Sequence, residues 1–182
     1  MIDKLKIISA ENFFYKLHDV DCNQKYGDGL PYSFHLKAVV SIAKKFIHLI
    51  DDADKCDVII ACLGHDSIED ARLTYNDIKN RFGEKVADII YLCTEDKGRN
   101  RDERKSESWY NELRNNNLAV FVKLCDIIAN STYSYLTNSS MLNKYESEYH
   151  QKVTKYLYEG IDDLYEPMFN ELETIYDLTR PQ

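Results

Sequence analysis

Residues 61–70, ACLGHDSIED, carry an apolar run into a His-Asp pair and then into two further acids. The run starts near Asp54 and is almost wholly apolar through VIIACL, which predicts a helix buried at the centre of the fold. His65 and Asp66 follow where that helix ends. Side chains at such a position are held by a buried helix and still face a cleft, so this stretch predicts a helical core with a polar site at its edge.

Two further segments carry residue types that complement the His-Asp pair. Residues 118–129, LAVFVKLCDIIA, predict a buried helix containing Asp126, and a carboxylate is costly to bury without a cation or a full set of hydrogen bonds. His35 opens a segment with apolar residues at positions 39, 42, 46 and 50, a helical spacing that puts its imidazole on the core-facing side. Imidazole nitrogens with carboxylate oxygens suit Mn²⁺, Fe²⁺ or Zn²⁺ and leave positions for water and phosphate. We therefore predict one divalent cation bound by His35, His65, Asp66 and Asp126.

Glu69 and Asp70 lie about one helical turn beyond the His-Asp pair. A carboxylate there can take a proton from an attacking water, so both are candidates for acid–base catalysis. The alternative is an acidic turn that stabilises the next helix through its dipole. The ligands have structural alternatives too, because a histidine at a helix end is more often hydrogen-bonded than metal-bound. We favour a hydrolase site, and the absence of GxxxxGK[ST], GxSxG and GxGxxG motifs removes the common nucleotide-loop and acyl-transfer alternatives.

The composition predicts one all-α domain over residues 1–182. The chain is 44% hydrophobic, enough to bury a core, and its six Gly and three Pro are too few for a fold with many turns. A net charge of −8 argues against nucleic acid and anionic membranes as partners and favours a small phosphorylated ligand. Five Cys without a CxxC pair, and no apolar stretch of about 18 residues, predict a reduced, cytoplasmic protein without a membrane span.

The remaining segments predict further helices. Residues 86–93 have helical apolar spacing, and Thr74 or Asn76 can cap a short helix before them. Residues 145–176 predict one long or broken helix rich in Tyr, with Pro167 at a boundary or a kink.

Residues 95–108, EDKGRNRDERKSES, form an irregular stretch that concentrates positive charge in an acidic chain. Its five basic side chains are Lys97, Arg99, Arg101, Arg104 and Lys105. One interpretation is a solvated loop, and the other is a phosphate gate over the site. On the second interpretation we predict that Lys97 and Arg104 contact substrate phosphate.

Four strings in this chain resemble the HD-domain hydrolases of the RelA/SpoT type, and most closely the small single-domain alarmone hydrolases of the Mesh kind. They are GLPYSFHLKAV, LGHDSIEDARLTYNDIKNRFGEKV, TEDKGRNRDERK and VKLCDIIAN. The corresponding family forms include GxPYxxHPxxVA, LLHDxxEDTxxTxxxIxxxFGxxV and VKLADxxxN. The strings keep the family's order and similar separations over about residues 24–160, a set far more specific than an isolated HD dipeptide.

The resemblance implies an all-α HD fold, one Mn²⁺ ion and hydrolysis of the 3′-pyrophosphate of ppGpp or pppGpp, with removal of the NADPH 2′-phosphate as a second family activity. It implies the same four metal ligands, with Glu69 and Asp70 as the carboxylates that activate water. It implies substrate contacts at Lys25, Lys97, Asn130, Lys152 and Tyr156. Long family members also carry a synthetase domain, which these residues do not contain, so we expect the chain to degrade the alarmone and not to make it.

The chain departs from the family pattern at Gln24, where the family usually has Arg, and at Leu36, which replaces a Pro. A neutral Gln weakens a base or phosphate contact and leaves NADPH, or another 2′- or 3′-phosphorylated nucleotide, as an alternative substrate. A hypothesis of another class is a non-catalytic nucleotide-sensing module. The complete ligand set favours the enzyme, because a module without metal has no physical reason to keep unpaired carboxylates.

Overall fold

The computed structural model describes residues 3–158 and 163–178, and the predicted all-α fold is confirmed. The first elements are α1 (Lys4–Tyr15), a π-helical turn (Lys16–Asp21), β1 (Lys25–Tyr26), β2 (Leu30–Pro31), α2 (Ser33–Phe46), a 3₁₀ turn (Ile47–Leu49), α3 (Lys55–Gly64), α4 (Ser67–Asp70), α5 (Tyr75–Phe82) and α6 (Glu84–Cys93). The later elements are α7 (Arg101–Arg104), α8 (Glu107–Arg114), α9 (Asn117–Leu136), α10 (Met141–Glu148), a second π-helical turn (Tyr149–Val153), α11 (Thr154–Tyr156) and α12 (Glu166–Asp177).

The centre of the fold is α9, which packs against α2, α3, α6, α8, α10 and α12. Every residue of α9 from Ala119 to Ala129 is buried, and so is every residue of α3 from Val58 to Gly64. Helices that are apolar all round are stable only when they are surrounded by other elements. The polar side chains inside these two runs, Lys123 and Asp126, are therefore buried along with the helix that carries them.

Two glycines allow close approaches that position the site. A Cβ on Gly64, the residue before His65, would lie 2.5 Å from Cζ of Phe14, so α1 crosses α3 in direct contact at that point. Gly27 lies in the hairpin that joins β1 to β2 and has a φ of +52°, and a Cβ there would overlap the Tyr133 hydroxyl. Glycine permits both the left-handed backbone and the close contact. The hairpin can therefore pack against α9.

Side-chain caps explain where several helices begin. Oγ1 of Thr74 accepts a hydrogen bond from the Asp77 backbone N–H at 3.2 Å, and the Asp77 carboxylate accepts one from the Thr74 N–H at 2.8 Å. This reciprocal capping box selects Thr74 over Asn76 as the cap of α5. Gly83, with a φ of +97°, ends α5 and separates it from α6.

The Tyr-rich segment 145–176 is broken and does not form one long helix. After α10 the backbone widens into the π-helical turn, and α11 follows for three residues. Pro167 lies in the first turn of α12, where a missing N–H leaves no intrahelical bond unmade, so it marks a helix start and not a kink. The part of the predicted segment at 159–162 lies outside the described residues.

Two findings concern the thiols and the longest apolar helices. All five Cys are free thiols, and Cys62, Cys93 and Cys125 are buried in the core. Within the part of the chain that the structure describes, no helix combines the length and the apolar character needed to cross a membrane.

Candidate active site

Three helices bring the four predicted metal ligands to one place. His35 lies in the first turn of α2, His65 and Asp66 follow directly after α3, and Asp126 lies in the middle of α9. The two histidines are 2% and 1% exposed, and Asp126 is 7% exposed. The packing of α2, α3 and α9 against one another therefore determines the geometry of the site.

The ligand atoms of these four residues converge at short distances. The Nε2 atoms of His35 and His65 lie 3.3 Å apart. Oδ1 of Asp126 lies 3.2 Å from the first of these nitrogens and 3.5 Å from the second. Oδ2 of Asp66 lies 2.9 Å from His65 Nε2 and 3.6 Å from His35 Nε2. Ligand atoms from His35, His65 and Asp126 all lie within 4.8 Å of one another, a spacing that one cation can bridge.

The hydrogen bonds around these atoms fit a divalent cation. His65 Nδ1–H donates to the carbonyl oxygen of Cys62 at 2.9 Å, which directs the Nε2 lone pair at the cluster. Two imidazole nitrogens that face each other can share at most one proton, whereas a cation accepts both lone pairs. Lys123 Nζ lies 3.2 Å from Oδ2 of Asp126, and Asn130 donates to its Oδ1 at 2.6 Å. Outer contacts of this kind orient the ligands of protein metal sites.

The two buried carboxylates of Asp66 and Asp126 require positive charge beside them. Burial opposes charge on His65, but the carboxylates of Asp66 and Asp126 outweigh burial and hold its pKa well above the usual value. Burial also opposes charge on Asp126, and there Lys123 and the two histidines outweigh it and hold the pKa well below the usual value. The buried carboxylates therefore stay ionised, and protons or a metal ion must balance them.

Glu69 and Asp70 lie in α4, directly after the His-Asp pair, and line the same cavity of about 280 Å³. Both residues reach solvent at its mouth, although the cavity walls screen them in part. This partial burial raises the pKa of each carboxyl, and the effect is increased by Glu95 at Glu69 and by Asp66 at Asp70. A carboxylate with a raised pKa is the stronger base once it is ionised.

Gln24 connects Asp70 to a buried histidine. Its side chain hydrogen-bonds Asp70 and also accepts a hydrogen bond from Nδ1 of His18. His18 is fully buried and stacks on the ring of Tyr32 with the centroids 4.8 Å apart. The residue that departs from the family pattern thus contacts one of the two predicted catalytic carboxylates.

Among the predicted substrate contacts, all of which lie in the described part of the chain, Asn130 lines this cavity. Lys97 lines a separate groove of about 250 Å³ beside Trp109. Lys152 lines a third groove, where its ammonium pairs with Asp102 at 2.8 Å. Contacts from Lys97 and Lys152 to a nucleotide in the cavity stay predictions, and this structure does not bring the two residues there.

Three further predicted contacts are also placed outside the cavity lining. Lys25 is an exposed residue of β1. Arg104 pairs with Glu95 at 3.2 Å, and the Tyr156 hydroxyl donates to Glu107 at 3.3 Å.

Within the basic segment 95–108, Arg101 and Lys105 line the cavity, where the sequence singled out Lys97 and Arg104. The reason is the single helical turn of α7, which puts residues four apart on one face.

Several residues that contact the predicted ligands were not among the residues singled out from the sequence. The Tyr32 hydroxyl donates to Oδ2 of Asp66. Tyr26 stacks on the His35 ring with the centroids 4.7 Å apart and donates to Oδ1 of Asn130 at 2.9 Å. Lys123 is 5% exposed. Lys123 had a usable signal, since a lysine three residues before a buried aspartate in an apolar helix faces that aspartate. Tyr32 lies in the GLPY string that matches the family form, which marks its position but not its contact with Asp66. Tyr26 had no signal, because the fold of the hairpin decides its contacts.

The chain is similar to proteins of one known group. The chain is 30% identical to the guanosine-3′,5′-bis(diphosphate) 3′-pyrophosphohydrolase MESH1 of Danio rerio, over 68% of this chain and 66% of the relative. It is 30% identical to MESH1 of Xenopus tropicalis, over 70% of this chain and 69% of the relative. A guanosine-3′,5′-bis(diphosphate) 3′-pyrophosphohydrolase of Aquifex aeolicus is 42% identical over a shorter stretch that covers 37% of this chain and 9% of the relative. No protein-family model matches the chain.

Among solved structures, the chain is similar to one described as a metazoan ortholog of SpoT that hydrolyses ppGpp and plays a role in starvation responses. The TM-score is 0.71 at 19% sequence identity, and the superposition covers 98% of this chain and 97% of the other. The helical architecture is thus the HD-domain fold. The chain belongs to the family of MESH1-type guanosine-3′,5′-bis(diphosphate) 3′-pyrophosphohydrolases, and it spans about two thirds of the length of the MESH1 relatives from Danio and Xenopus.

Proposed function

We propose that this protein hydrolyses the 3′-pyrophosphate of the guanosine alarmones ppGpp and pppGpp with the help of one divalent cation. The observation that carries the proposal is the convergence of His35, His65, Asp66 and Asp126 at the cavity that the two carboxylates of α4 line. Family membership supplies the substrate class. The reaction breaks the bond between the ribose 3′ oxygen and phosphorus and releases pyrophosphate.

The four ligand side chains would hold the cation. A divalent cation at this position lowers the pKa of water and neutralises charge on phosphoryl oxygens. We assign Mn²⁺, because two carboxylates with open positions for water suit it and two imidazoles are compatible with it. Fe²⁺ and Zn²⁺ are the alternatives. Elemental analysis of the purified protein identifies which of the three metals is bound.

Glu69 and Asp70 handle the proton in this proposal. Glu69 takes the proton of the attacking water, and its raised pKa suits a base that works near neutral pH. Asp70 orients that water, and the hydrogen bond from Gln24 fixes the direction of its carboxylate. The proton gained by Glu69 can then pass to the departing 3′ oxygen, which needs one as the bond to phosphorus breaks.

Three further side chains keep the ligands in position. Lys123 neutralises Asp126 on the side away from the histidines, and Tyr32 holds Asp66. Tyr26 packs on His35 and orients Asn130, which in turn donates to Asp126. A fixed ligand geometry lowers the reorganisation needed during the reaction.

The direct test is product identification with Mn²⁺ and a panel of ppGpp, pppGpp and NADPH. We expect ppGpp to give GDP and pyrophosphate in equal amounts. Release of phosphate from NADPH, without release of pyrophosphate from either alarmone, would show that NADPH is the substrate and the alarmones are not. A protein that binds the alarmones and cleaves none of the three would be a sensing module.

A further inference from the structure

A second group of charged side chains lies at the same cavity as the metal ligands, and four of its five members line it. We call it the basic cluster: Arg101, Arg104 and Lys105 with the carboxylates of Glu95 and Glu148. Arg101 and Lys105 both pair with Glu148. Lys105 also pairs with Glu95 at 3.3 Å, and Arg104 pairs with Glu95 at 3.2 Å. Three cationic groups thus share two carboxylates, which leaves a formal charge of +1.

Only part of the basic cluster is buried, because the side chains of Arg101 and Arg104 are 38% and 40% exposed. The Lys105 side chain is 5% exposed, and those of Glu95 and Glu148 are 10% and 11% exposed. Burial lowers the pKa of the Lys105 ammonium, and the neighbouring charge of Lys123 lowers it further. A buried ammonium keeps its charge only while anionic oxygens lie beside it, so a phosphate that displaces Glu148 would take over that part of the compensation.

Four members of the basic cluster are accessible from the cavity. Arg101, Lys105, Glu95 and Glu148 line it together with the metal ligands His35, Asp66 and Asp126. The carboxylate partner comes from a distant part of the chain, since Glu148 ends α10 while Arg101 begins α7 and Lys105 follows it. A guanidinium and an ammonium that converge on one carboxylate present the donors that a phosphate group accepts.

We propose that Arg101 and Lys105 form a phosphate subsite for a group that is not cleaved, and that Glu148 occupies this subsite until the phosphate displaces it. The proposal rests on the proposed function and specifies its substrate class. A nucleotide with phosphates on both the 3′ and the 5′ oxygens would place one group at the metal ligands and the other here. The site then selects doubly phosphorylated nucleotides over those with a 3′ group alone.

A purely structural role would leave a different signature. If the ion pairs only join α7 to α10, removing Glu148 lowers stability and leaves ligand preference unchanged. If Glu148 competes with phosphate, its removal strengthens the binding of the second phosphate. The Glu148→Gln variant separates the two because it keeps the shape of the side chain and removes its charge.

The experiment measures binding by calorimetry on Mn²⁺-loaded protein that carries Glu69→Gln, so that substrate is not consumed. The two probes are guanosine 3′,5′-bis(diphosphate) and guanosine 3′-diphosphate, which differ only in the 5′ group. On this background we expect Lys105→Met to reduce the affinity ratio between the two probes by about tenfold, the worth of one charge-assisted hydrogen bond. Glu148→Gln should raise the same ratio. Lys144→Met, an exposed lysine on the helix that carries Glu148, is the matched control and should leave it unchanged.

Several results would overturn the subsite. An equal loss of both probes in Lys105→Met would mean that the lysine maintains the cavity without recognising the 5′ group. A ratio that falls or stays constant in Glu148→Gln would remove the competition. Thermal denaturation checks that each variant is folded, and Arg101→Met replaces Lys105→Met if the latter does not fold. Binding does not require turnover, so a protein that discriminates the probes but cleaves neither in its unmutated form would refute the hydrolase and keep the subsite.

Discussion

The predicted metal ligands and the basic cluster meet at one cavity but satisfy their charges in opposite ways. At the metal ligands, two histidines and two aspartates face one another, and their common demand is for a cation. In the basic cluster each cation is already paired with a carboxylate, and the excess of positive charge favours an anion. Binding a cation would stabilise the first arrangement. In the second, a bound anion would replace a carboxylate that already pairs with the cations. Variants at the two regions should therefore differ in kind as well as in size.

The largest effect is expected from His65→Ala at the metal ligands. Loss of one of four ligands from a single-metal site should remove the bound cation and reduce turnover below detection. Elemental analysis and pyrophosphate release measure the two consequences, and circular dichroism checks that the helices remain. Stoichiometric metal together with normal turnover in this variant would refute the site.

Glu69→Gln should have the next largest effect. An amide cannot take the proton of water, so we expect kcat to fall by about 10² to 10⁴. Metal content and the KM for ppGpp should stay close to those of the unmutated protein, because Glu69 is not a ligand. Unchanged kcat would assign the proton to Asp70 instead.

A moderate effect is expected from Gln24→Leu. The hydrogen bond from Gln24 lowers the pKa of Asp70 against the effect of burial, so its loss should raise that pKa further. Asp70 must be ionised to orient water, and the acidic limb of the pH–rate profile should therefore move to higher pH. We also expect a drop in kcat of about tenfold, the worth of one hydrogen bond to a charged group. A profile that does not move would leave Gln24 without a role at Asp70.

The smallest effect concerns the stability of the basic cluster. Burial opposes charge on Glu148, but Lys105 and Arg101 outweigh it and lower its pKa in the folded protein. A carboxyl with a lowered folded pKa stabilises the protein above its unfolded pKa, and the contribution is lost as the pH falls through the folded value. The Tm difference between the unmutated protein and Glu148→Gln should thus be constant near neutral pH and shrink below about pH 4. A difference that grows on acidification would contradict the ion pairing.

The sequence predicted those parts of the fold that depend on local pattern. The apolar run before His65 and the one around Asp126 identified α3 and α9, since a helix without a polar face must be central. The cap of α5 was limited to Thr74 or Asn76. The break in the Tyr-rich segment was left open, because a π-helical turn preserves apolar spacing on either side and has no turn residues to mark it.

The sequence predicted which residues form the candidate site better than it predicted which of them contact one another. Four ligand positions were predicted from chemistry carried by short strings, and their side chains lie close together in the structure. The pairing of Glu148 with Lys105 joins residues 43 apart and depends on how α7 and α10 cross, which no local pattern contains. For the same reason Arg101 and Lys105 were not distinguished from Lys97 and Arg104 within one charged segment.

The number of residues in each of the two π-helical turns affects the geometry of the cavity. His18 lies within Lys16–Asp21, and Glu148 immediately precedes Tyr149–Val153. A π-helical turn accommodates one residue more than an α-helical turn. Deleting a single residue from the second turn would restore α-helical register and rotate α10 and the following helices by about 100° relative to each other, which would change the packing around Glu148. In an alignment, a one-residue gap at either turn would therefore record a remodelled active site, where the same gap in an exposed loop would leave the site untouched.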